Sequence, residues 1–165
     1  MTTILQLEGL CKSFGAIRVA DDLSYSLAQG EALGIIGPNG AGKTTMFNLI
    51  TGTLQGDKGA ITFQGKDVTR YSPANRCRAG MARSFQVPQP FSGLSVFENA
   101  MIAATQAAGL TGRAAEKKCV DVLKQTELLE KANIRAASLT LLDRKRLELT
   151  RALCANPTLL MLDEI

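Results

Sequence analysis

Residues Gly37–Thr45 read GPNGAGKTT, a complete match to the spacing G-x-x-x-x-G-K-[ST]. Glycines at 37, 40 and 42 let the backbone curl around the intervening Pro38, Asn39 and Ala41, so that successive N–H groups point into one hollow. Those donors, with a helix start behind them, suit phosphate oxygens. In such a loop Lys43 is expected to reach the β- and γ-phosphates of a nucleoside triphosphate. The hydroxyl of Thr44 is expected to ligate Mg²⁺, and Thr45 completes the binding stretch. A second constellation lies at the other end of the chain, where four apolar residues, Leu159–Leu162, run into Asp163 and Glu164. Alone, this is an acidic strand end. Beside an upstream phosphate loop, Asp163 has a metal to hold and Glu164 a water to orient or activate, a role that contributes typically ~10²–10⁴-fold in rate.

Both constellations need elements to position them. EALGIIG, just before the loop, is apolar with little alternation and predicts a short buried strand. TTMFNLITGTL, just after it, has a helical pattern. TILQLEGL and DLSYSLAQ alternate apolar and polar residues, which predicts two half-buried strands, with Leu23, Tyr25 and Leu27 on one face. AITFQG predicts another. Ser72-Pro73 signals a helix start, ARSFQ a short strand and VPQP an irregular linker. Ser95 and Glu98 have the spacing of a capping box before an apolar helix. Further helices are expected from about Ala114 to Leu129 and over SLTLLDRKRLELTRALCA, the last one stopped by Asn156-Pro157, before a buried strand TLLMLDE. The expected class is α/β, with an N-terminal antiparallel β part and a helical middle.

The 165 residues carry a net charge of +4 and 45% apolar residues, which suits one soluble domain with its own core. Cys11, Cys77, Cys119 and Cys154 are scattered with no CxxC pair, which argues against a zinc site and fits a reducing compartment. The N-terminus lacks a signal-peptide pattern, and no stretch approaches the ~18 apolar residues of a membrane span. The expectation is a protein that stays inside the cell and meets a membrane only through partners. No Asn-Lys-x-Asp motif for reading guanine is present.

At this point the chain resembles the ATP-binding subunits of ABC transporters along its whole length. The spellings FNLITGTLQGDKGAITFQGKDVT and RAGMARSFQ are similar to subunits that power uptake of branched-chain and other hydrophobic amino acids. The resemblance implies a single P-loop ATPase domain over residues 1–165, with a helical subdomain at about 87–155. It implies ATP and Mg²⁺ as cofactors. Phe14 falls where the family stacks an aromatic on adenine; core packing is the competing explanation. Gln86 falls at the Q-loop position, which touches Mg²⁺ or water and senses the membrane partner; a solvated linker residue is its alternative. The implied partners are two membrane permeases, a second ATP-binding subunit and, indirectly, a periplasmic solute-binding protein, with no nucleic acid. The implied location is the cytoplasmic face of the membrane.

Three departures qualify the resemblance. The signature Leu-Ser-Gly-Gly-Gln is here Leu139-Thr140-Leu141-Leu142-Asp143. Side chains replace glycine where backbone must approach phosphate, and Asp143 adds a repulsive charge, so the second ATP-binding subunit is expected to be a different protein. Thr140-x-x-Asp143 is expected to hold that helix start as a capping box. Ile165 stands where the family has Pro. The family's dimer-facing loop and γ-phosphate histidine follow Glu164, and this sequence contains no histidine. The expectation is a C-terminally truncated copy that binds nucleotide weakly and does not sustain turnover. Two other readings stay open: a nucleotide-binding regulatory module without turnover, and a soluble ABC ATPase not coupled to transport.

Overall fold

The computed structural model describes residues 2–163, which fall into two compact units divided between Arg76 and Cys77. The first unit is built on an antiparallel sheet. Strand β1 (Thr3–Phe14) pairs with β2 (Ile17–Ala28) on one side and β3 (Lys58–Phe63) on the other, and a short β4 (Lys66–Asp67) extends β3. Leu7 lies opposite both Tyr25 and Ile61, and Leu5 opposite Phe63, so the apolar set of three strands shares one face. Leu23, Tyr25 and Leu27 turn inward while Ser24 and Ser26 stay exposed, as alternation predicts. Helix α1 (Lys43–Thr51) contributes Met46, Leu49 and Ile50 to the buried core of this unit, which also holds Leu5, Leu7, Leu10, Ile61, Phe63 and Val68.

Helix α2 (Pro73–Arg78) starts at the Ser72-Pro73 signal. Its Arg76 is buried and donates to the carbonyls of Leu49 and Ile50 at 2.7 and 2.8 Å, and to those of Thr69 and Tyr71. A cation at the carbonyl end of α1 satisfies groups that a helix cannot satisfy itself and suits the helix dipole.

The second unit pairs β5 (Met81–Ser84) with β6 (Leu159–Leu162) in parallel, Arg83 opposite Met161 and Ser84 opposite Leu162. Between them in sequence lie three helices, α3 (Val96–Gln106), α4 (Gly112–Gln125) and α5 (Leu141–Cys154). Small residues Ala100, Ala104 and Ala115 bring them together around Cys119, Val122 and Cys154. A second cluster of Val96, Leu123, Leu128, Ala136, Leu139 and Leu147 completes the helical core. The capping box of α3 forms in full: Ser95 Oγ accepts from Glu98 N–H, and Glu98 accepts from Ser95 N–H at 2.7 Å.

One expected element is absent. EALGIIG is irregular rather than a buried strand, with Leu33 and Ile35 exposed and Ile36 99% exposed. No described strand pairs with it. A strand exists only with a ladder partner for its N–H and C=O groups, and apolar composition does not supply one.

Candidate functional site

In the first unit the loop between β2 and α1 holds the glycine-rich stretch. Gly40 and Gly42 adopt φ of 84° and 87°, a region that side chains with a Cβ enter only under strain. Gly42 also lies against β2, where a Cβ would meet the Val19 carbonyl oxygen at 2.9 Å. A Cβ on Gly40 would meet nothing within 4 Å, so the loop is open on that side. Gly42 caps α1 without a side-chain hydrogen bond, and the first turn carries no acidic residue. Helix α4 also starts without a side-chain cap, whereas α3 and α5 have their first-turn amides engaged by Ser95 and Thr140. The positive end of α1 is left for an anion. Lys43 Nζ folds back to donate to Gly37 O at 2.5 Å and Pro38 O at 2.9 Å, holding its ammonium at the loop. Thr44 is exposed at the second position of α1.

Phe14 ends β1 with 52% of its surface exposed, and Lys12 Nζ lies 5.6 Å from its ring centroid. The ring is thus partly packed and partly open to solvent. Lys12 also pairs with Asp57 at 2.7 Å, and Asp57 accepts from Ser13 N–H.

In the second unit Asp163 and Gln86 leave the same end of the parallel β5–β6 pair. Asp163 is one residue past β6, and Gln86 two past β5 on an exposed bend. Asp163 Oδ2 accepts from Arg83 Nη2 at 2.6 Å, and Asp163 N–H reaches Ser84 Oγ at 3.4 Å. The linker after Gln86 is irregular but anchored. Gln89 N–H donates to Glu148 at 2.7 Å, and Arg151 donates to Gln89 O at 2.9 Å. Asn99, fully buried, accepts from Phe91 N–H and donates to Phe91 O. Sequence reasoning missed Arg83, Asn99, Glu148 and Arg151. The available signals were weak: an arginine within a short apolar strand, and polar residues on the inner faces of α3 and α5.

The helix start at Thr140 forms part of the expected capping box, and Asp143 is buried. Its carboxylate accepts from Lys131 Nζ at 2.6 Å and from Thr140 Oγ1 at 2.8 Å, with Arg146 at 4.0 Å. Lys131 first, then Thr140, hold the carboxyl below the usual range. Thr140 Oγ1 accepts from Asp143 N–H in return, so one half of the capping box forms and the other runs through the hydroxyl instead of the backbone. The anticipated repulsive charge is therefore neutralised. What this helix start presents to solvent is Leu141 and Leu142, 67% and 61% exposed.

Glu164 lies outside the described residues. Among the described residues no group of three His, Cys, Asp or Glu side chains is arranged to hold a metal. Thr44 in the first unit, and Gln86 and Asp163 in the second, each carry a hard oxygen of the kind Mg²⁺ takes.

The profile of the ABC transporter family matches residues 20–165. The chain belongs to the ABC transporter family. Its relatives include a probable branched-chain amino acid transport ATP-binding protein, LivG, of Methanocaldococcus jannaschii, 35% identical over 98% of this chain and 67% of that protein. The lipopolysaccharide export ATP-binding protein LptB of Haemophilus influenzae is 33% identical over 98% of the chain and 67% of its own length. A solved nucleotide-free ATP-binding cassette from an ABC transporter superposes with a TM-score of 0.83 at 32% identity, covering 98% of this chain and 69% of that one. The 165 residues thus span about two thirds of the length of these relatives. The α/β fold with an antiparallel β part and helices is that of the ABC ATPases. Among the described residues no helix is long and apolar enough to cross a membrane.

Proposed function

We propose that this cassette is the ATP-binding subunit of an importer and couples ATP binding and hydrolysis to uptake of branched-chain or other hydrophobic amino acids. The observation that carries the ATP reading is the open loop Gly37–Thr45, with Gly40 and Gly42 in left-handed backbone and α1 uncapped behind it. Phe14 stacks on the adenine. The loop amides and Lys43 take the phosphates, with Lys43 exchanging the Gly37 and Pro38 carbonyls for phosphate oxygens. Thr44, Asp163 and Gln86 are the Mg²⁺ ligands, in part through water. Bound Mg²⁺ supplies charge neutralisation at the β- and γ-oxygens. Glu164 orients and activates the attacking water, and Gln86 relays the state of the site to the membrane partner.

The amino-acid cargo is supported by the LivG relatives of Methanocaldococcus and Salmonella. LptB and a Nod factor export protein of Bradyrhizobium are similar at 33% and 36% identity, so cargo rests on the experiment. The partners are two permeases, a second and different ATP-binding subunit and, through the permeases, a periplasmic binding protein, at the cytoplasmic face. Exposed Leu141 and Leu142 favour the mixed pair, because their side chains stand where a close backbone–phosphate contact would be needed. The same two residues favour a second reading, a nucleotide-binding module without turnover. Co-purification of the protein with permeases, followed by ATP-dependent uptake of labelled leucine into vesicles, tests the first. Phosphate release no faster than that of Lys43→Ala supports the second.

A further inference from the structure

We propose that Arg83 is a positioning residue whose ion pair with Asp163 competes with metal binding and passes the outcome to Phe85 and Gln86. The inference rests on the reading of Asp163 as an Mg²⁺ ligand.

Arg83 and Asp163 meet at 2.6 Å with side chains only 4% and 6% exposed. A carboxylate removed from water to that degree needs a counter-charge, and Arg83 is the cation that the described structure pairs with it. Parallel register makes the pair direct: Arg83 lies opposite Met161, two residues before Asp163, and reaches past the end of β6. The same guanidinium stacks over the Phe85 ring, 5.0 Å from its centroid. Phe85 is half exposed and precedes Gln86.

A divalent cation on Asp163 brings two positive charges against the guanidinium. At separations of a few ångströms that repulsion is substantial even at an effective dielectric of about 20. Metal and Arg83 therefore exclude one another at full strength. When a metal takes the carboxylate, the guanidinium withdraws while still stacked on Phe85. The far end of the segment cannot follow, because Glu148 and Arg151 hold Gln89 by both backbone groups and Asn99 holds Phe91 in the same way. The displacement is confined to Phe85–Pro88, the stretch that contains Gln86. Arg83 thus converts occupancy of a buried carboxylate into a shift of an exposed bend.

The test uses the whole chain with a non-hydrolysable ATP analogue. Mn²⁺ affinity is read by electron paramagnetic resonance in the wild type, Arg83→Gln and Arg83→Lys. Arg83→Gln is expected to bind Mn²⁺ at least about tenfold more tightly, Arg83→Lys to stay within about threefold of wild type, and affinity for the analogue in EDTA to be equal in all three. The chain has no tryptophan, so Phe85→Trp gives a single reporter. Its emission is expected to shift on adding Mg²⁺ when Arg83 is present and to stay fixed with Arg83→Gln. Equal or weaker Mn²⁺ binding by Arg83→Gln overturns the proposal. If Arg83→Gln melts too readily for titration, a metal-insensitive emission from the Phe85→Trp variant that retains Arg83 overturns it instead. Failure of the wild type to bind the analogue with Mg²⁺ present overturns the ATP reading itself and the inference with it. Analogue binding with metal affinity indifferent to Arg83 overturns the inference alone.

Discussion

Alanine at Gly40 and at Gly42 should produce opposite balances of stability and binding. Both glycines have φ near 85°, so each substitution incurs the left-handed penalty of roughly 1–2 kcal/mol. Each also gains about 0.4–1 kcal/mol from a less flexible unfolded chain. At Gly40 nothing lies within 4 Å of the new Cβ, so the net loss is about 1 kcal/mol. At Gly42 the Cβ meets the Val19 carbonyl oxygen at 2.9 Å, a backbone atom that cannot rotate away. Overpacking of that kind adds typically about 1–3 kcal/mol, for a total near 3. For a chain of this length those losses correspond to roughly 2–4 °C for Gly40→Ala and roughly 6–12 °C for Gly42→Ala in melting temperature. Binding should follow a different order. The open side of Gly40 is where the proposal seats phosphate, so Gly40→Ala should weaken an ATP analogue by about tenfold or more, the equivalent of ~1.4 kcal/mol, with little loss of stability. Circular-dichroism melts and analogue titration give the two readings. Equal melting losses in the two variants would refute the steric reasoning. Undiminished binding by Gly40→Ala would refute the placement of phosphate.

Phe14→Ala should leave thermal stability almost unchanged, because the ring is half exposed, yet weaken adenine nucleotides by roughly 1–3 kcal/mol while inorganic triphosphate binds as before; a comparable loss for both ligands would contradict stacking. Asp143→Asn should destabilise the protein at neutral pH, since the carboxylate anchors Lys131 and Thr140 at the start of α5. The folded carboxyl is held below its ordinary value, so its contribution is complete above the unfolded pKa of about 3.9 and disappears as pH falls through the lower folded value. The melting gap between wild type and Asp143→Asn should therefore be constant near pH 6–7 and close below about pH 4; a gap that persists in acid would show that the charge is not its source.

The parts of the fold legible in the sequence were those written locally. The phosphate loop is a contiguous spelling, and its Gly40 and Gly42 each meet a backbone demand. The capping box at Ser95 and Glu98 and the alternation of Leu23, Tyr25 and Leu27 are equally short-range. EALGIIG failed as a strand because strand formation is settled by a partner elsewhere, and apolar residues report only a tendency to be buried. The direction of Asp143 was illegible for a similar reason. Its place in the signature suggested a charge set against phosphate, while the structure turns it inward to Lys131, twelve residues upstream. Arg83 lies inside the spelling RAGMARSFQ, which assigned it no role. Its meaning depends on Asp163, eighty residues away, arriving beside it through the β5–β6 register.

The measurement that bears most directly on the account is titration of the protein with a fluorescent ATP analogue and Mg²⁺, wild type against Lys43→Ala. Lys43 is the cation already held at the mouth of the loop by Gly37 and Pro38. Saturable binding by the wild type, with at least about a hundredfold weaker binding by the variant at an unchanged melting temperature, is the predicted result. Equal affinity in the two proteins would contradict the assignment of Gly37–Thr45 as the nucleotide site.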